Sequence, residues 1–296
     1  MGFRKGLVSV VMPTYNRADF LPEAIESVIA QSYEYWQLII IDDGSTDDTK
    51  SLIASYLQDS RILYYYQKNQ GQSVARQKAL TLADGEFVAF LDSDNRWFPD
   101  RLLECVTTLN TKPEYAIAYA DGVLIDEHGA TISTRNMRRY SGNITNELLK
   151  DNCVSMNTTL VRRDALEDIG GFRPEVRRAD DYDLWLRLSA KYQFIYISKR
   201  LSEYRVMEDQ ISSNKDGRFA SNYEIINNFH KTFPNAVTTL QRRRAWSSFY
   251  CRKAAYEASM KRRLIGLGDT VKAFTYFPFW QGPWRVLIKQ LIGRYS

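Results

Sequence analysis

The stretch that decides the fold is GEFVAFLDSDN, residues 85–95. An apolar run short enough for one buried strand ends abruptly in two carboxylates, Asp92 and Asp94, with Ser93 between them. If strand geometry continued through Asp94, every second side chain would share one face, and both carboxylates could hold a hard divalent cation. The alternative is a strand that ends in a polar turn, because Asp, Ser and Asn are common turn residues. The stretch therefore predicts a buried strand followed by either a metal site or a turn.

Similar segments precede this stretch. Continuous apolar runs predict strands at 7–12, 36–41 and 62–66, the first of them stopped by Pro13. Apolar spacing and first-turn residues predict helices at 19–29, 48–57 and 71–82. Strands that are apolar throughout and alternate with helices of about 10 to 15 residues indicate βαβ units. They predict a mostly parallel sheet covered by helices on both faces.

A polar cluster follows each predicted strand or opens the next helix. These clusters are residues 14–16, 42–45, 71–73 and 92–95. In open parallel sheets, ligands bind beyond the carboxyl ends of the strands. We therefore expect the clusters to converge on one rim of the sheet and to form a site the size of a nucleotide, with a metal at its edge.

The pattern changes after a helix predicted at 100–110. Further strands are predicted at 115–119, 122–125 and 158–161, with a turn at 126–129, and they are more consistent with antiparallel additions to the sheet. The pair Gly170 and Gly171 allows positive φ or close backbone approach. A helix with an apolar face of Leu184, Trp185 and Leu188 begins at Asp180. Asp180 and Asp181 in its first turn complement the helix dipole, an ordinary arrangement that requires no function.

Length and composition predict a soluble globular protein. The 296 residues suffice for one large or two modest domains, and 44% hydrophobic with 25% charged residues is ordinary for a soluble chain. No apolar run approaches the roughly 18 residues of a membrane-spanning helix, and no secretory hydrophobic region precedes the first strand, so we expect a cytoplasmic location. Cys105, Cys153 and Cys251 are widely spaced, which argues against a disulfide framework and a zinc site.

The positive charge is concentrated near the C-terminus. Residues 241–296 carry 12 Lys and Arg against 2 Asp and Glu, and residues 1–240 carry 28 against 33, so the net charge of +5 divides into +10 and −5. A basic tail suits an anionic membrane surface or a nucleic acid. Because nothing in residues 1–240 supports nucleic-acid binding, we expect no nucleic-acid partner.

The tail also contains a short basic amphipathic helix after Pro283. Arg285, Lys289 and Arg294 lie largely off its apolar face. That face consists of Trp284, Leu287, Ile288, Leu291 and Ile292. Such a segment suits the headgroup region of an anionic leaflet, which would place the protein at the inner face of the cell membrane. The alternative is that the same face packs on the N-terminal domain or on a second subunit.

Residues 7–213 resemble the family 2 inverting, nucleotide-sugar-dependent glycosyltransferases, which have the GT-A fold. The segments that carry the resemblance are VSVVMPTYN (8–16), IDDGSTD (41–47), GQSVAR (71–76), FLDSD (90–94), GGF (170–172) and DDYDLWLR (180–187). The resemblance implies an α/β, Rossmann-like fold with a mostly parallel central sheet, helices on both faces, small antiparallel additions on the acceptor side and a helical C-terminal tail.

The implied domain organisation has two parts. The catalytic domain would span 1–215, with a nucleotide-binding half at about 1–110 and an acceptor-side half at about 111–215. A basic helical region rich in aromatic residues would follow at 216–296.

The same resemblance implies a site for a nucleotide diphosphate sugar based on UDP, GDP or dTDP. The implied donor-binding residues are Pro13, Thr14, Tyr15, Asn16, Asp42, Asp43, Gly71, Arg76, Asp92, Ser93 and Asp94. Thr14 and Tyr15 would contact the nucleoside, and Asp43 would bond the edge of the base. Arg76 would lie near the nucleotide. Asp94 would ligate Mn²⁺ or Mg²⁺, with Asp92 at the ribose or in the water shell of the metal.

An inverting transfer needs a base opposite the leaving group, and the resemblance gives that role to Asp181. Asp180 stands beside it where the family usually has Glu, and an adjacent carboxylate would raise the pKa of an Asp toward a range useful for a general base.

Two positions depart from the family pattern. Asn95 stands where Asp is frequent, which would weaken water-mediated metal binding. Met207 stands where His is frequent, and a thioether is a poor partner for Mg²⁺ or diphosphate. His128 and His230 fall outside the motifs and are interpreted as surface histidines.

Together these residues predict a metal-dependent enzyme that moves one sugar from the donor to a glycan or lipid-linked acceptor in polysaccharide or cell-surface glycan synthesis. The alternative is a non-catalytic GT-A-like module that binds a nucleotide sugar or a glycan. Met207 favours the alternative, whereas the presence of both Asp94 and Asp181 opposes it. Donor hydrolysis in the presence of Mn²⁺ separates the two hypotheses.

Overall fold

The computed structural model describes residues 2–134, 138–207 and 214–293. The chain folds into two compact units. Unit 1 comprises Met1–Asn143 and Val154–Asn214, and unit 2 comprises Ile144–Cys153 and Lys215–Ser296. The segment Ile144–Cys153, placed by the sequence analysis in the acceptor-side half, thus belongs to unit 2.

The secondary structure alternates between strands and helices through most of unit 1 and is helical in unit 2. The strands are β1 (Arg4–Thr14), β2 (Trp36–Asp42), β3 (Ile62–Tyr66), β4 (Gly85–Phe90), β5 (Arg96–Trp97), β6 (Tyr115–Ile125), β7 (Thr131–Thr134), β8 (Leu160–Arg162) and β9 (Gln193–Arg205). The α-helices are α1 (Leu21–Ile29), α2 (Thr49–Ile53), α3 (Gln72–Leu82), α4 (Arg101–Thr111), α5 (Thr145–Lys150), α6 (Arg163–Asp168), α7 (Asp180–Ser189), α8 (Lys215–Thr232), α9 (Thr239–Ser259), α10 (Arg263–Tyr276) and α11 (Gln281–Leu291). Short 3-10 helices lie at Tyr56–Gln58 and Met156–Thr158.

The strands of unit 1 form one mixed sheet in the order β3-β2-β1-β4-β8-β6-β9-β5, with β7 paired to β6. The first four strands in this order are parallel to one another. The pairs β4–β8, β8–β6 and β9–β5 are antiparallel, whereas β6 and β9 run parallel. The predicted α/β fold, parallel in its N-terminal half and with antiparallel additions, is confirmed.

Strand β1 continues through Pro13, so the predicted stop at this residue is wrong. Pro13 pairs with Ile41 of β2 in the strand register. Odd-numbered residues of β1 bond toward β4, as Val11 does when its carbonyl accepts from the Leu91 N–H. Because β4 ends at Phe90 and its register with β1 ends at Val11, no ladder bond is lost at the proline nitrogen.

Three other expectations need correction. The two strands predicted at 115–119 and 122–125 are one strand, β6, whose register with β9 shifts around Asp121. The helix predicted at 48–57 is a short α2 followed by a 3-10 turn. The apolar spacing of Leu21, Ala24, Ile25, Val28 and Ile29 predicts one buried face for α1, but Ile29 is 40% exposed and does not belong to it.

Unit 2 is built around α9, and α10 packs against it in the opposite direction. The Ser247 hydroxyl donates to the Ala273 carbonyl at 2.9 Å, and Lys253 pairs with Asp269 at 2.7 Å. A capping box formed by Thr238 and Gln241 begins α9. Across the described residues we find no helix with both the length and the hydropathy needed to cross a bilayer.

The two histidines differ in their surroundings. The imidazole of His128 is exposed, as predicted. His230 is buried and packs against Phe229 and Trp246, so its interpretation as a surface residue is wrong. Burial, with a smaller effect from the Arg242 charge, lowers the pKa of His230 to about 4, which keeps the ring neutral in this aromatic setting.

Candidate active site

The four polar clusters at the strand ends meet through direct hydrogen bonds. The Asn16 N–H donates to the Ser45 hydroxyl at 2.9 Å and links the loops after β1 and β2. The Gly71 N–H donates to Asp43 Oδ2 at 2.7 Å and links the loop after β2 to the start of α3. Gln72 Nε2 donates to Asp92 Oδ1 at 3.2 Å and adds the turn after β4. The predicted convergence on one rim is confirmed.

The acidic pair after β2 lies inside this network. Asp42 is fully buried and accepts from the Tyr64 hydroxyl and the Ser45 N–H at 2.7 and 2.8 Å. Asp43, also buried, accepts from Gln67 Nε2, the Gln70 N–H and the Gly71 N–H. Both carboxylates thus hold the loops that border the rim.

The loop after β1 has a buried and an exposed end. Thr14 is buried, and its hydroxyl finds no hydrogen-bond partner among the described residues. Tyr15 is half exposed, so its ring is available to a ligand. Asn16 takes a left-handed backbone conformation with φ +50° and accepts from the Thr46 N–H at 2.8 Å. The buried hydroxyl next to an exposed aromatic ring is suited to a polar ligand at this rim.

Asp92 and Asp94 lie in a turn, not on a continuation of the strand. β4 ends at Phe90, and the Asn95 N–H donates to the Asp92 carbonyl at 3.0 Å, as in a β-turn. Strand geometry therefore does not continue through Asp94, and these residues form a polar turn. The assignment of a metal to Asp92 and Asp94 stays a prediction. Asp94 remains partly exposed, with 16% of its side chain accessible. Burial, and then the charge of nearby Asp92, raises the pKa of Asp94 to about 6, while Arg17, 4.0 Å away, opposes the shift.

Residues outside the predicted set fix this turn. Arg205 of β9 donates from Nε to the Asp94 carbonyl at 3.0 Å, and its own N–H donates to Asn95 Oδ1 at 2.8 Å. The Asp92 N–H donates to Asn157 Oδ1 at 2.9 Å. Asn95 is thus buried against β9 and has a structural role. The family pattern, in which Asp is frequent at this position, did not predict that role.

Arg76 joins the turn to α7. Its Nη1 lies 2.6 Å from Asp180 Oδ2 and its Nη2 lies 2.5 Å from Asp92 Oδ1. The guanidinium is buried. Burial alone would lower the pKa of Arg76, but the charges of Asp180 and Asp92 outweigh it and raise that pKa, so the cation is fully retained. Residues 104 positions apart in the chain are thereby held in one site.

Helix α3 makes further contacts with the segment that leads into α7. Gln77 accepts the Phe172 N–H at 2.7 Å, and the Ser73 hydroxyl donates to the Val176 carbonyl. Gly170 and Gly171 have φ of +77° and +66°, as their sequence predicted. Ala179 precedes the helix with φ +56°, a conformation that costs about 1 kcal/mol for a residue other than glycine. Such strain persists only where neighbouring contacts hold it, and here it sets where α7 begins.

The two acidic residues at the start of α7 have different surroundings. Asp180 is buried and bound to Arg76, whereas Asp181 is partly exposed beside it. Asp183 belongs to the scaffold, because it is buried and accepts from Arg187 Nε at 2.8 Å. The arrangement places Asp181 next to a fixed charge pair that reaches the turn after β4.

The donor set of the turn fits a hard divalent cation. Carboxylate oxygens suit Mn²⁺ and Mg²⁺, and Mg²⁺ commonly uses one or two protein carboxylates with substrate phosphates. Asp92 and Asp94 are both partly accessible and close enough for one charge to raise the pKa of the other. Within residues 2–134, 138–207 and 214–293, no group of three His, Cys, Asp or Glu side chains is arranged to hold a metal. The pair would therefore need oxygen atoms of a substrate to complete a coordination shell.

Residues 9–170 match the family model described as Glycosyl transferase family 2, which is more than half of the chain. TuaG of Bacillus subtilis, named for teichuronic acid biosynthesis, is 34% identical over 220 residues, covering 71% of this chain and 83% of TuaG. The chain therefore belongs to glycosyl transferase family 2.

Other comparisons agree with this family and with its fold. The Escherichia coli protein WfgD, named as a UDP-Glc:α-D-GlcNAc-diphosphoundecaprenol β-1,3-glucosyltransferase, is 30% identical over 229 residues, covering 75% of this chain and 86% of WfgD. The crystal structure of S. aureus TarS 1–349 superposes with a TM-score of 0.68 at 19% identity, covering 97% of this chain and 88% of TarS 1–349. The GT-A fold is thus confirmed. The chain spans only 31% to 33% of the length of several rickettsial relatives.

We expect Arg76→Met to destabilise unit 1 by about 3 to 5 kcal/mol, because it leaves two buried or partly buried carboxylates without their cation. Hydrogen exchange of the β4 amides measures this loss. The control is Lys199→Gln, which removes the surface pair between Lys199 and Glu104 and should cost at most about 1 kcal/mol. Equal effects of the two substitutions would contradict a special role for the Arg76 bridge.

Proposed function

We propose that this chain is an inverting glycosyltransferase that moves one sugar from a nucleotide diphosphate donor to a glycan or lipid-linked acceptor in cell-surface glycan synthesis. The observation that carries the proposal is the bridge from Asp92 through Arg76 to Asp180. It joins a carboxylate turn suited to a metal and diphosphate to the helix that presents Asp181. A donor-side group and a candidate base are thereby fixed relative to each other, as a displacement at one carbon requires.

The donor would lie on the rim formed by the polar clusters. Tyr15 offers an exposed ring for the nucleoside, and Thr14 offers an unsatisfied hydroxyl. Pro13 lies near the end of β1 and Asn16 in the loop after it, while Asp42 and Asp43 hold the neighbouring loops. Asp43 would reach the base only by exchanging one of its present donors, since its two oxygens already accept three hydrogen bonds. Gly71 and Ser93 would border the diphosphate through their backbone.

Asp94, supported by Asp92, would hold Mn²⁺ or Mg²⁺. When bound, such an ion neutralises the charge that develops on the departing diphosphate. Arg76 keeps the Asp92 carboxylate in place, and Arg205 keeps the Asp94 backbone in place. Met207 replaces a histidine that family members often have near this point, so the two carboxylates would carry the metal without it.

Asp181 would accept the proton of the acceptor hydroxyl as that oxygen attacks the anomeric carbon. The bond between this carbon and the diphosphate oxygen then breaks, and the nucleoside diphosphate leaves from the opposite face. Asp180 forms an ion pair with Arg76, so its role would be to position α7. The configuration at the anomeric carbon of the product would be inverted.

The names of two relatives support the proposed class of acceptor. WfgD is named for a diphosphoundecaprenol-linked acceptor and TuaG for teichuronic acid biosynthesis. We extend a lipid-linked or cell-surface glycan acceptor to this chain, and with it work at an anionic membrane surface. The basic composition of residues 241–296 supports that location.

We expect one of UDP-, GDP- or dTDP-sugars to raise the melting temperature of the chain in the presence of Mn²⁺. A ligand at 100 times its dissociation constant stabilises by about 2.7 kcal/mol. Asp94→Asn should lose this metal-dependent shift and the turnover of the donor while remaining folded. The control is Asp100→Asn, at a surface carboxylate that accepts from the Ser32 hydroxyl. A full shift in Asp94→Asn would contradict the metal assignment, and donor binding without hydrolysis or transfer in wild type would favour the non-catalytic module.

Asp181→Asn should separate chemistry from binding. The donor should bind with nearly unchanged affinity, while kcat falls by roughly 10² to 10⁴, the usual contribution of a positioned base. Steady-state kinetics with titrated donor measure both quantities. Asp180→Asn is the matched comparison and should lower kcat less, because an amide can still accept from Arg76. A loss confined to KM in Asp181→Asn would point to substrate positioning and contradict its assignment as the base.

A further inference from the structure

Helix α10 presents an apolar stripe to solvent. Leu264, Leu267 and Val271 recur at i, i+3 and i+7, and all three are exposed, Leu264 to 86%. The opposite side of the helix packs on α9, where Gly266, Asp269, Thr270 and Ala273 are buried. The sequence pattern predicted an apolar face only after Pro283, so the stripe on α10 is a feature of the structure.

Helix α11 continues the same layer. Phe274 of α10 meets Trp284 of α11 edge to face, with ring centroids 4.8 Å apart, and Thr270 bonds to Gln290 at 3.0 Å. Gln290 Nε2 also donates to the Ala254 carbonyl of α9 at 3.4 Å. Both helices therefore lie on α9 and turn their other side outward.

The outward side of α11 is apolar as well. Trp284, Ile288, Leu291 and Ile292 are exposed, Leu291 to 75%, whereas Leu287 of the predicted face is half-buried. Phe279, in the connection between the two helices, is 93% exposed. We call the following set the outer face: Leu264, Leu267, Val271, Phe279, Trp284, Ile288, Leu291 and Ile292. An exposed apolar surface of this kind on a soluble unit marks an interaction site.

Within α10, α11 and their connection the exposed charge has one sign, and Asp216 of α8 pairs with Arg262 just before α10. Residues 260–293 contain a single acidic residue, Asp269, which is buried and paired with Lys253. Exposed basic side chains stand on the same two helices or at their ends, at Lys261, Arg263, Lys272, Arg285 and Lys289. Arg294, predicted to join them, lies outside the described residues.

We propose that the outer face of α10 and α11 is the surface by which this chain docks on an anionic lipid bilayer, with the apolar side chains inserted among the headgroups and the basic ones on lipid phosphates. The charge pattern selects this occupant. A second copy would bring two surfaces of the same sign together, which repel each other. A nucleic acid would match the charge but would leave the aliphatic side chains without an apolar partner.

Docking has a direct consequence for the reaction. The inference rests on the proposed function in that a lipid-linked acceptor is confined to the bilayer. Because the two units are one chain, holding unit 2 on the bilayer keeps unit 1 at a high effective concentration of that acceptor. A water-soluble acceptor would gain nothing from docking.

Sedimentation of the full chain with vesicles of phosphatidylglycerol and phosphatidylcholine tests the proposal. Leu264→Ser/Val271→Ser/Leu291→Ser should lower the partition coefficient at least ten-fold. All three positions are exposed, so the substitutions leave the packing of unit 2 intact. The matched control is Leu57→Ser/Leu103→Ser/Ile132→Ser, at exposed positions of unit 1, which should bind as wild type.

The charge is tested separately. The double variant Arg263→Gln/Arg285→Gln should bind the vesicles more weakly in low salt, by about five-fold for each residue. The reason is that each basic residue near the membrane surface contributes about 1 kcal/mol to binding. Lys50→Gln/Lys112→Gln is the control for charge on unit 1 and should have no effect. Binding by wild type should fall as salt rises and should be weak on phosphatidylcholine alone.

The outcomes separate this inference from the proposed function. Vesicle binding equal in wild type and the outer-face triple variant, or absent from both, overturns it. A dimer in solution without lipid that the triple variant dissociates also overturns it, in favour of a second copy. Because sedimentation requires no turnover, an inactive chain that docks would defeat the proposed function alone, and an active chain that ignores vesicles would defeat docking alone.

Discussion

One buried cation organises the candidate site. The guanidinium of Arg76 is buried from water, and burying an unpaired guanidinium costs several kcal/mol. Its two carboxylate partners come from the end of β4 and the start of α7, so the fold stabilises this charge only when both elements are in place. The two ion pairs of Arg76 therefore fix the position of α7 relative to the parallel strands of the sheet.

The turn after β4 is held from a second side by backbone contacts. Asp92 donates its N–H to Asn157, and the carbonyl of Asp94 accepts from Arg205. Arg205 itself is fixed by Glu23 of α1 at 2.7 Å. Because the backbone of the turn is held in this way, the positions from which the Asp92 and Asp94 side chains extend are fixed, which would lower the entropy lost if they bound an ion or a diphosphate. Preorganisation of this kind is what electrostatic stabilisation of a leaving group requires.

The sequence predicted what local patterns determine. The strands β1 to β4 are continuous apolar runs, and the clusters at their ends could be assigned to one rim because parallel strands end at the same edge. Strand β9 was missed because its middle residues, Lys199 and Arg200, are exposed and break the apolar pattern. For Asp92 and Asp94 the sequence left a continued strand and a turn open, because a period of two cannot show where the strand stops.

Local sequence patterns could not predict contacts between residues that are far apart in the chain. Arg205 reaches a turn 111 positions earlier, and no spacing rule relates the two. Asn95 was assigned by comparison with metal-binding aspartates, whereas its burial against β9 is a tertiary effect. The bridge of Arg76 belongs to the same class, although each of its three residues was predicted separately from its motif.

A double-mutant cycle on Asp92→Asn and Asp180→Asn tests the central claim most directly, with the free energy of unfolding of unit 1 measured by hydrogen exchange of the β4 amides. If one guanidinium couples the two carboxylates, the effects are not additive, and the coupling free energy is about 1 kcal/mol or more. Effects that add within about 0.5 kcal/mol would show that the two carboxylates act independently and would contradict the account.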